Sequence, residues 1–217
     1  MATTEQISQR EQAYQQLRRL LILQQIPEGE RLTETAWAKR LGVSRGALRE
    51  AFARLEAEGF IAPGARSGYN VAHLTEDDIR EVLEVRIMLE GGAVERIVRM
   101  GYNKVGRLKA MIESCGQLER LIHEDYLLGV TEADRRFHEA LVEVAGNQRL
   151  IRLYQRAPLP IIHPVLLAGE QWIARLTQTL QEHRMLVDAI LAGDVAQGQS
   201  LLRTHLNERA FIPLHAG

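Results

Sequence analysis

Apolar residues recur at three- and four-residue intervals along almost the whole chain, which is the spacing of one face of an α-helix. Segments that contain glycine or proline interrupt the pattern, and helices commonly end at such residues. The connections between the amphipathic stretches are short, which favours antiparallel packing of neighbouring helices. The chain is therefore expected to be mostly α, with a helical bundle making up most of its length.

Three short helices are predicted in the first 60 residues. The first is marked by Tyr14, Leu17, Leu20, Leu21 and Gln24 and ends before Pro27 and Gly29. Thr33 is a good N-cap for the second helix, because its hydroxyl can accept a free backbone N–H of the first turn. Ser44 caps the third helix, and Gly59 ends it as the residue best able to adopt a left-handed conformation.

The next segment changes from a helical to a β-type pattern. Residues 60–62 and 69–71 are short β-type runs on either side of PGARSG, a turn-rich tip. No other part of the sequence gives a convincing strand. Three helices followed by a hairpin form a winged helix-turn-helix, so we place this domain at residues 1–74 and an all-helical antiparallel bundle at residues 75–217.

Six helices are predicted in the second domain. Thr75 and Asp78 give the first of them a capping-box-like start, with Asp in place of the usual Glu. Gly146-Asn147, a proline cluster and Gly193 supply the stops between later helices. The predicted spans are 75–100, 104–123, 131–145, 148–157, 170–192 and 194–211.

The third helix of the first domain carries arginines away from its apolar face. Leu48 and Phe52 anchor one side, while Arg45 and Arg49 lie one turn apart on another. A helix-turn-helix places the N-terminal residues of its second helix against base edges in the major groove. An arginine fork can pair there with O6 and N7 of guanine, and Ser44 can donate to a phosphate. A solvated arginine face is the alternative, but the order of the surrounding elements favours binding to double-stranded DNA.

The amino-acid composition limits which partners and which cellular compartment are expected for the protein. Residues 1–74 contain 10 Lys and Arg against 8 Asp and Glu, and the remainder contains 17 against 20, a weak indication of an anionic partner for the first domain. The single cysteine, Cys115, excludes an internal disulfide framework and fits a reducing compartment. No apolar run has the length of a signal-sequence core or a membrane span. A cytoplasmic protein with no membrane partner is expected.

Three stretches of the first domain resemble a known family. IPEGERL, AWAKRLGVSRGALREAFARLEAEGFI and RSGYNV, within residues 10–74, are similar to the DNA-binding domain of GntR-family bacterial transcriptional regulators. The resemblance implies operator contacts by the second helix of the helix-turn-helix and by the wing. The residues that it assigns to DNA contact are Ser44, Arg45, Arg49, Arg66 and Gly68.

One carboxylate and three histidines form a second candidate site. Asp134 and His138 are four residues apart, which stacks their side chains on one helix face as a shared metal ion requires. His183 and His205 lie among apolar residues, which indicates an inward-facing site. Imidazole and carboxylate together suit Zn²⁺, Ni²⁺, Co²⁺, Mn²⁺ or Fe²⁺. Each histidine taken alone is more often a hydrogen-bonded core or surface residue.

The second domain also resembles a known one. DRRFHEAL, GNQRL and two helical histidines further along the chain are similar to the FCD domain, the all-helical effector domain of the FadR-like GntR subfamily, over about residues 75–212. In its metal-binding members an aspartate and three histidines hold a divalent ion, often zinc. The resemblance disfavours a fatty acyl-CoA effector and implies four metal ligands, Asp134, His138, His183 and His205.

A metal with four protein ligands can still accept water or a small carboxylate. We therefore expect an organic-acid effector at that position, with Arg86 as a candidate second anchor through a bidentate contact. The alternative for Arg86, weighted equally, is an internal ion pair with a helix carboxylate. The prediction is a homodimeric repressor on an inverted-repeat operator, whose DNA affinity responds to that metabolite.

Two other functions would use the same four ligands. A metalloenzyme could carry out hydrolysis or oxygen chemistry at an open metal position. Against it, no separate general base or nucleophile stands out, and the winged domain would have no role. A direct metal sensor would use the ion itself as the signal, and reversible metal binding that changes DNA affinity would identify it.

Overall fold

The computed structural model describes residues 8–22, 25–65, 67–73, 75–156 and 172–210. The chain divides into two compact units, Met1–Leu74 and Thr75–Gly217. The predicted fold class, a mostly α protein with a winged helix-turn-helix and a helical bundle, is confirmed. Among the helices of the described residues, none combines the length and the apolar character needed to cross a membrane.

The first unit packs three helices against a small sheet. Its elements are α1 (Gln9–Ile22), β1 (Arg31–Leu32), α2 (Glu34–Leu41), α3 (Arg45–Ala57), β2 (Ile61–Pro63) and β3 (Tyr69–Val71). Helix α1 packs against α3, and α3 also contacts α2 and β2. Leu48, Phe52 and Leu55 of α3 are fully buried in this core. Burial of each such side chain contributes about 1.5–3 kcal/mol, so the apolar face of α3 holds the unit together.

Side-chain caps define the turn between α2 and α3. Thr33 Oγ1 accepts a hydrogen bond from the Ala36 N–H at 3.4 Å, and Ser44 Oγ accepts one from the Ala47 N–H at 3.2 Å. Both predicted caps are confirmed. Gly42 ends α2 in the left-handed conformation, with a φ of 67°. These bonds satisfy N–H groups that the helices cannot satisfy themselves, so the sequence at the turn sets where α3 begins.

The sheet contains one strand that the sequence analysis missed. β1 pairs antiparallel with β3, and β3 pairs antiparallel with β2, in the order β1-β3-β2. The prediction confined strands to the hairpin and was wrong here, because two residues are too few to show an alternating pattern. Gly68 is required where β1 approaches the wing. Its φ is +111°, and a Cβ there would lie 2.7 Å from the Leu32 carbonyl oxygen.

The second unit is a bundle of six helices within the described residues. They are α4 (Glu76–Arg99), α5 (Lys109–His123), α6 (Leu127–Val144), α7 (Gln148–Arg156), α8 (Trp172–Ala192) and α9 (Val195–Ala210). Helix α4 packs against α6 and α9, α5 packs against α6 and α8, and α8 packs against α9. The predicted helix bounds at 157, 170 and 211 lie outside the described residues.

Two helices of the bundle begin at other residues than predicted. Helix α5 begins at Lys109 rather than at 104, and α6 begins at Leu127 rather than at 131. Their N-cap residues, Leu108 and Tyr126, make no side-chain cap hydrogen bond, so the sequence carries no polar signal for either start. The predicted capping box at the start of α4, by contrast, is present.

The core of the bundle encloses polar side chains as well as apolar ones. Ile97, Phe137 and Leu206 are among its fully buried apolar residues, and Cys115 is buried with them. Burial of a polar or charged group costs free energy unless the group is paired. The buried polar residues of this unit are Arg86, Glu90, Ser114, Thr131, Asp134, His138, His183 and His205. Such a set inside an apolar core marks a candidate functional site.

Candidate metal centre and DNA-contacting helix

Three helices of the bundle bring the four predicted metal ligands into one site. Asp134 and His138 come from successive turns of α6, His183 comes from α8 and His205 comes from α9. Each of these residues is at most 3% exposed. One ligand atom from each lies within 4.8 Å of the other three. This convergence is what a shared metal ion requires.

The atoms that face one another are imidazole nitrogens and a carboxylate oxygen. The Nε2 atoms of His138 and His205 are 3.2 Å apart. Asp134 Oδ1 lies 3.5 Å from His183 Nε2 and 3.9 Å from His138 Nε2. Two ligands bound tetrahedrally to one zinc ion at about 2.1 Å are separated by about 3.4 Å. These three separations lie within about 0.5 Å of that value, and all four ligand atoms lie within 4.8 Å of one another.

Two carboxylates outside the cluster orient two of the imidazoles. Glu90 Oε2 lies 2.7 Å from His138 Nδ1, and Glu182 Oε2 lies 2.6 Å from His205 Nδ1. A carboxylate in this position accepts the Nδ1 hydrogen and leaves the lone pair on Nε2. Both lone pairs then point into the space between the ligands, which is the orientation that cation binding needs.

The third imidazole is oriented by an aromatic ring. His183 stacks on Phe137, with the ring centroids 3.8 Å apart and the planes inclined by 7°. Contact at this distance fixes the plane of the imidazole by packing. Because Phe137 precedes His138 in α6, the same turn of that helix supplies one ligand and orients another.

The donor set fits a divalent cation. Two Nε2 lone pairs that face each other at 3.2 Å repel unless a proton or a cation lies between them. The buried charged groups nearby, Arg86, Glu90 and Asp134, sum to one negative charge, and the Glu182 side chain, 17% exposed, adds a second. Three imidazoles with one carboxylate suit Zn²⁺ and neighbouring transition-metal ions. The charge balance favours a cation and disfavours direct capture of an anion.

Local electrostatics keep the inner groups in suitable protonation states. Burial lowers the pKa of the His138 imidazole, although Glu90 opposes the shift, so the neutral ring is favoured. Burial alone would raise the pKa of the Glu90 carboxyl, but the Arg86 guanidinium and the hydrogen bond from His138 outweigh burial and hold that pKa below its usual range. A neutral imidazole beside an ionised carboxylate is the form that can bind a cation through Nε2.

The predicted effector anchor, Arg86, lies inside the bundle. It is 4% exposed, and its Nε donates to Glu90 Oε1 at 2.8 Å, one turn further along α4. Arg86 thus forms the internal ion pair with a helix carboxylate that the sequence analysis gave as the alternative. The sequence analysis missed Glu90 and Glu182, although the four-residue spacing of Arg86 and Glu90 was a signal for the first.

The start of α3 presents three of the predicted DNA-contacting residues. Ser44 is the N-cap of α3, and the side chains of Arg45 and Arg49 are each 65% exposed. Gly68 lies in the wing beside β3, and Arg66 lies outside the described residues. The two arginines, one turn apart, are therefore accessible to a ligand that approaches α3 from solvent.

A carboxylate that the sequence analysis missed faces both arginines. Glu34, the first residue of α2, accepts hydrogen bonds from Arg49 Nε at 2.9 Å and from Arg49 Nη2 at 3.0 Å. Arg45 Nη2 lies 3.8 Å from the same carboxylate. The hydrogen bonds from Arg49 lower the pKa of Glu34. Glu34 is 15 residues from Arg49 and in another helix, so no local spacing indicates the contact.

Comparison with known families identifies both units. Residues 9–71 match the family described as bacterial regulatory proteins of the gntR family, and residues 81–208 match the FCD domain. The chain belongs to the GntR family. This GntR-family protein carries the four candidate metal ligands, Asp134, His138, His183 and His205, in the FCD domain; we call them the ligand cluster. Its membership makes it a DNA-binding transcriptional regulator rather than an enzyme.

Relatives that match along most of the chain are themselves named as transcriptional regulators. The GntR-family protein is 29% identical over 199 residues to the uncharacterized HTH-type transcriptional regulator YdhC of Bacillus subtilis (strain 168), covering 90% of this chain and 87% of the relative. It is 24% identical over 208 residues to the HTH-type transcriptional repressor GlaR of Escherichia coli (strain K12), covering 89% and 90%. Escherichia coli McbR/YncC shares the fold, with a TM-score of 0.73 and 20% identity over 94% of this chain and 95% of that one.

Proposed function

We propose that this GntR-family regulator is a homodimeric repressor whose operator affinity changes when a small carboxylate metabolite binds at a divalent-metal centre in the FCD domain. The observation that carries the proposal is the convergence of four buried metal-ligand side chains in that domain. A bound cation accounts for the presence of these polar groups in an otherwise apolar core. A homodimer presents two winged domains, which suits the two half-sites of an inverted repeat.

The four converging side chains hold the ion in this proposal. Zinc is the first candidate, because three imidazoles and one carboxylate suit it, and nickel, manganese, cobalt and iron accept the same donors. When bound, the ion supplies a Lewis-acidic position that accepts a carboxylate oxygen. Glu90 and Glu182 keep two imidazoles oriented, and Arg86 contributes by pairing with Glu90 rather than by touching the effector.

The DNA contacts of the proposal come from α3 and the wing. Arg45 and Arg49 contact base edges in the major groove, where arginine pairs with guanine. Ser44 contacts a phosphate close to the positive end of the helix dipole. Arg66 and Gly68, in the wing, contact a neighbouring minor groove or the sugar–phosphate backbone. Binding to chromosomal operators assigns the protein to the bacterial cytoplasm.

Metal analysis combined with a thermal-shift screen of organic acids tests the proposal. Wild-type protein purified without chelator should contain about one divalent ion per chain, and metal-loaded protein should be stabilised by a set of small carboxylates. His183→Ala should lose the ion and the carboxylate response while it keeps basal DNA binding, because α3 and the wing are unchanged. His123→Ala, an exposed histidine at the end of α5, is the matched control.

Two results would revise the proposal in different ways. Unchanged metal content in His183→Ala would show that the ligand assignment is wrong. DNA affinity that responds to the ion alone, with no response to any carboxylate, would show that the ion is the signal.

A further inference from the structure

The Glu90 carboxylate connects three helices of the bundle. Its Oε1 accepts hydrogen bonds from Arg86 Nε and from Tyr154 Oη, each at 2.8 Å. Its Oε2 lies 2.7 Å from His138 Nδ1. Arg86 shares α4 with Glu90, whereas His138 belongs to α6 and Tyr154 belongs to α7. Glu90 is fully buried, so water does not compete for these contacts.

We propose that Glu90 is a positioning residue that couples cation binding at the four-ligand cluster to the docking of α7 on the bundle. The coupling rests on the metal centre of the proposed function. It adds that α7 responds to the bound ion. Its two halves are the contact with His138 on the metal side and the contact with Tyr154 on the α7 side.

On the metal side, Glu90 sets the orientation of one ligand. Glu90 accepts a hydrogen bond from the Nδ1–H group of His138. This contact directs the Nε2 lone pair of His138 toward His205 Nε2, 3.2 Å away. A cation bound at Nε2 makes the Nδ1 hydrogen more acidic and strengthens its bond to the carboxylate. Carboxylates in this position typically change metal affinity by about 10- to 100-fold. The Glu90–His138 contact and a bound ion therefore stabilise each other.

On the α7 side, the link is the Tyr154 hydroxyl. Tyr154 is 3% exposed, whereas Leu153 beside it is 59% exposed. A buried hydroxyl without an acceptor is costly, and Glu90 Oε1 supplies the acceptor at 2.8 Å. Leu150 and Ile151 of the same helix are only partly buried against the core. The hydrogen bond to Glu90 is thus a specific polar anchor for a short helix with modest apolar burial.

One carboxylate that serves both contacts links the two events thermodynamically. If docked α7 keeps Glu90 in place for His138, a cation bound by His138 must favour docked α7 by the same factor. Arg86 supports both contacts because its guanidinium favours the ionised carboxylate. A purely structural Arg86–Glu90 pair would stabilise the bundle and leave metal affinity independent of Tyr154.

Tyr154→Phe tests the coupling, because it removes the hydroxyl and keeps the ring. Zn²⁺ affinity of the full chain is measured by competition with a chromogenic chelator, and hydrogen exchange of the α7 amides is measured with and without Zn²⁺. We expect Tyr154→Phe to weaken Zn²⁺ binding about tenfold and to reduce the Zn²⁺-dependent protection of α7. Tyr102→Phe, a half-buried tyrosine below the Arg107 guanidinium, is the matched control and should change neither quantity.

Glu90→Gln, which keeps the shape and removes the charge, should show the same two losses, with circular dichroism confirming its helical content. Unchanged Zn²⁺ affinity in Tyr154→Phe, together with lost binding in His183→Ala, would overturn the coupling and leave the metal centre intact. A lower melting temperature of Tyr154→Phe at unchanged Zn²⁺ affinity would assign Tyr154 a structural role alone, which also overturns the coupling. Wild-type protein that binds no Zn²⁺ would overturn the coupling and the metal centre together.

Discussion

Glu34 holds Arg49 by two parallel hydrogen bonds, from Nε at 2.9 Å and from Nη2 at 3.0 Å. A carboxylate presents two acceptors side by side to the guanidinium, as the O6 and N7 edge of guanine does. Glu34 therefore orients the arginine fork of α3 and, in the proposed function, competes with DNA for that fork. Removal of Arg49 is therefore expected to weaken DNA binding, and removal of the Glu34 charge is expected to strengthen it.

Replacement of Arg49 by alanine should weaken specific DNA binding most. The loss should be about tenfold or more on a selected operator and smaller on random duplex, because base contacts discriminate while phosphate contacts do not. Fluorescence anisotropy with both duplexes measures the difference. Arg54→Ala is the control, since Arg54 is a half-exposed arginine of the same helix that pairs with Glu11. Equal losses on operator and random duplex would refute a base contact by Arg49.

Glu34→Gln should raise the affinity for DNA, whereas Arg49→Ala lowers it. Both substitutions should reduce the discrimination between operator and random duplex. The amide keeps the shape of Glu34 but removes a negative charge from the side of α2 that faces Arg49 and Arg45. Affinity for random duplex should rise several-fold, and more so at low salt, because phosphates no longer compete with the carboxylate. The ratio of operator to random affinity should fall because Arg49 loses its fixed orientation. An unchanged ratio of operator to random affinity would show that the Glu34–Arg49 contact is an exposed ion pair with no effect on discrimination.

The convergence of Asp134, His138, His183 and His205 could be predicted from the sequence, whereas most contacts of the neighbouring carboxylates could not. Asp134 and His138 are four residues apart on one helix, and the apolar neighbours of His183 indicated an inward direction. The spacing of four residues from Arg86 indicates an ion-pair partner for Glu90 but not its contact with His138. Glu182 looks like any other helical glutamate, because burial depends on how separate helices pack. Their contacts with histidines span 48 and 23 residues, which no local spacing rule covers.

The same distinction applies to the fold. Three helices that begin at polar caps, Thr33, Ser44 and Thr75, were predicted at their correct starts because the signal is local. The start of α1 at Gln9, after the capping residue Ser8, was not predicted. Strand β1 exists because β3 offers it hydrogen-bonding partners, and its own two residues carry no pattern. The start of α6 follows a turn at Asp125, which has a φ of 54° although it is not a glycine, so no glycine marks this turn in the sequence.

Gly68→Ala should destabilise the winged unit. The substitution adds a Cβ at a φ of +111° and 2.7 Å from the Leu32 carbonyl oxygen. We expect a loss of about 1–3 kcal/mol in the free energy of unfolding, measured by urea denaturation. Gly46→Ala is the control, because a Cβ at this position in α3 meets no atom within 4 Å and should stabilise the helix by up to about 1 kcal/mol. Equal stability of the two variants would contradict the close approach of β1 to the wing.

Removal of divalent ions should lower the melting temperature of the wild-type protein. An ion present at 100 times its dissociation constant stabilises the folded state by about 2.7 kcal/mol, and each kcal/mol corresponds to roughly 2–4 °C for a chain of this size. Differential scanning calorimetry before and after chelation measures the shift. His183→Ala should melt at the same temperature in both conditions. If the melting temperature of the wild-type protein did not change on chelation or on re-addition of ions, this result would contradict a metal centre.

In the proposed function, the ligand cluster of the FCD domain controls the affinity of the winged domain for DNA. An operator selected from random duplexes is titrated with metal-loaded protein, with and without a carboxylate that stabilises it in the thermal-shift screen. We predict a preference for an inverted repeat over a scrambled duplex, and a carboxylate-dependent change in Kd of about 5- to 150-fold that His183→Ala abolishes. The same Kd in wild type and His183→Ala under every condition, or no preference for the inverted repeat, would contradict the account.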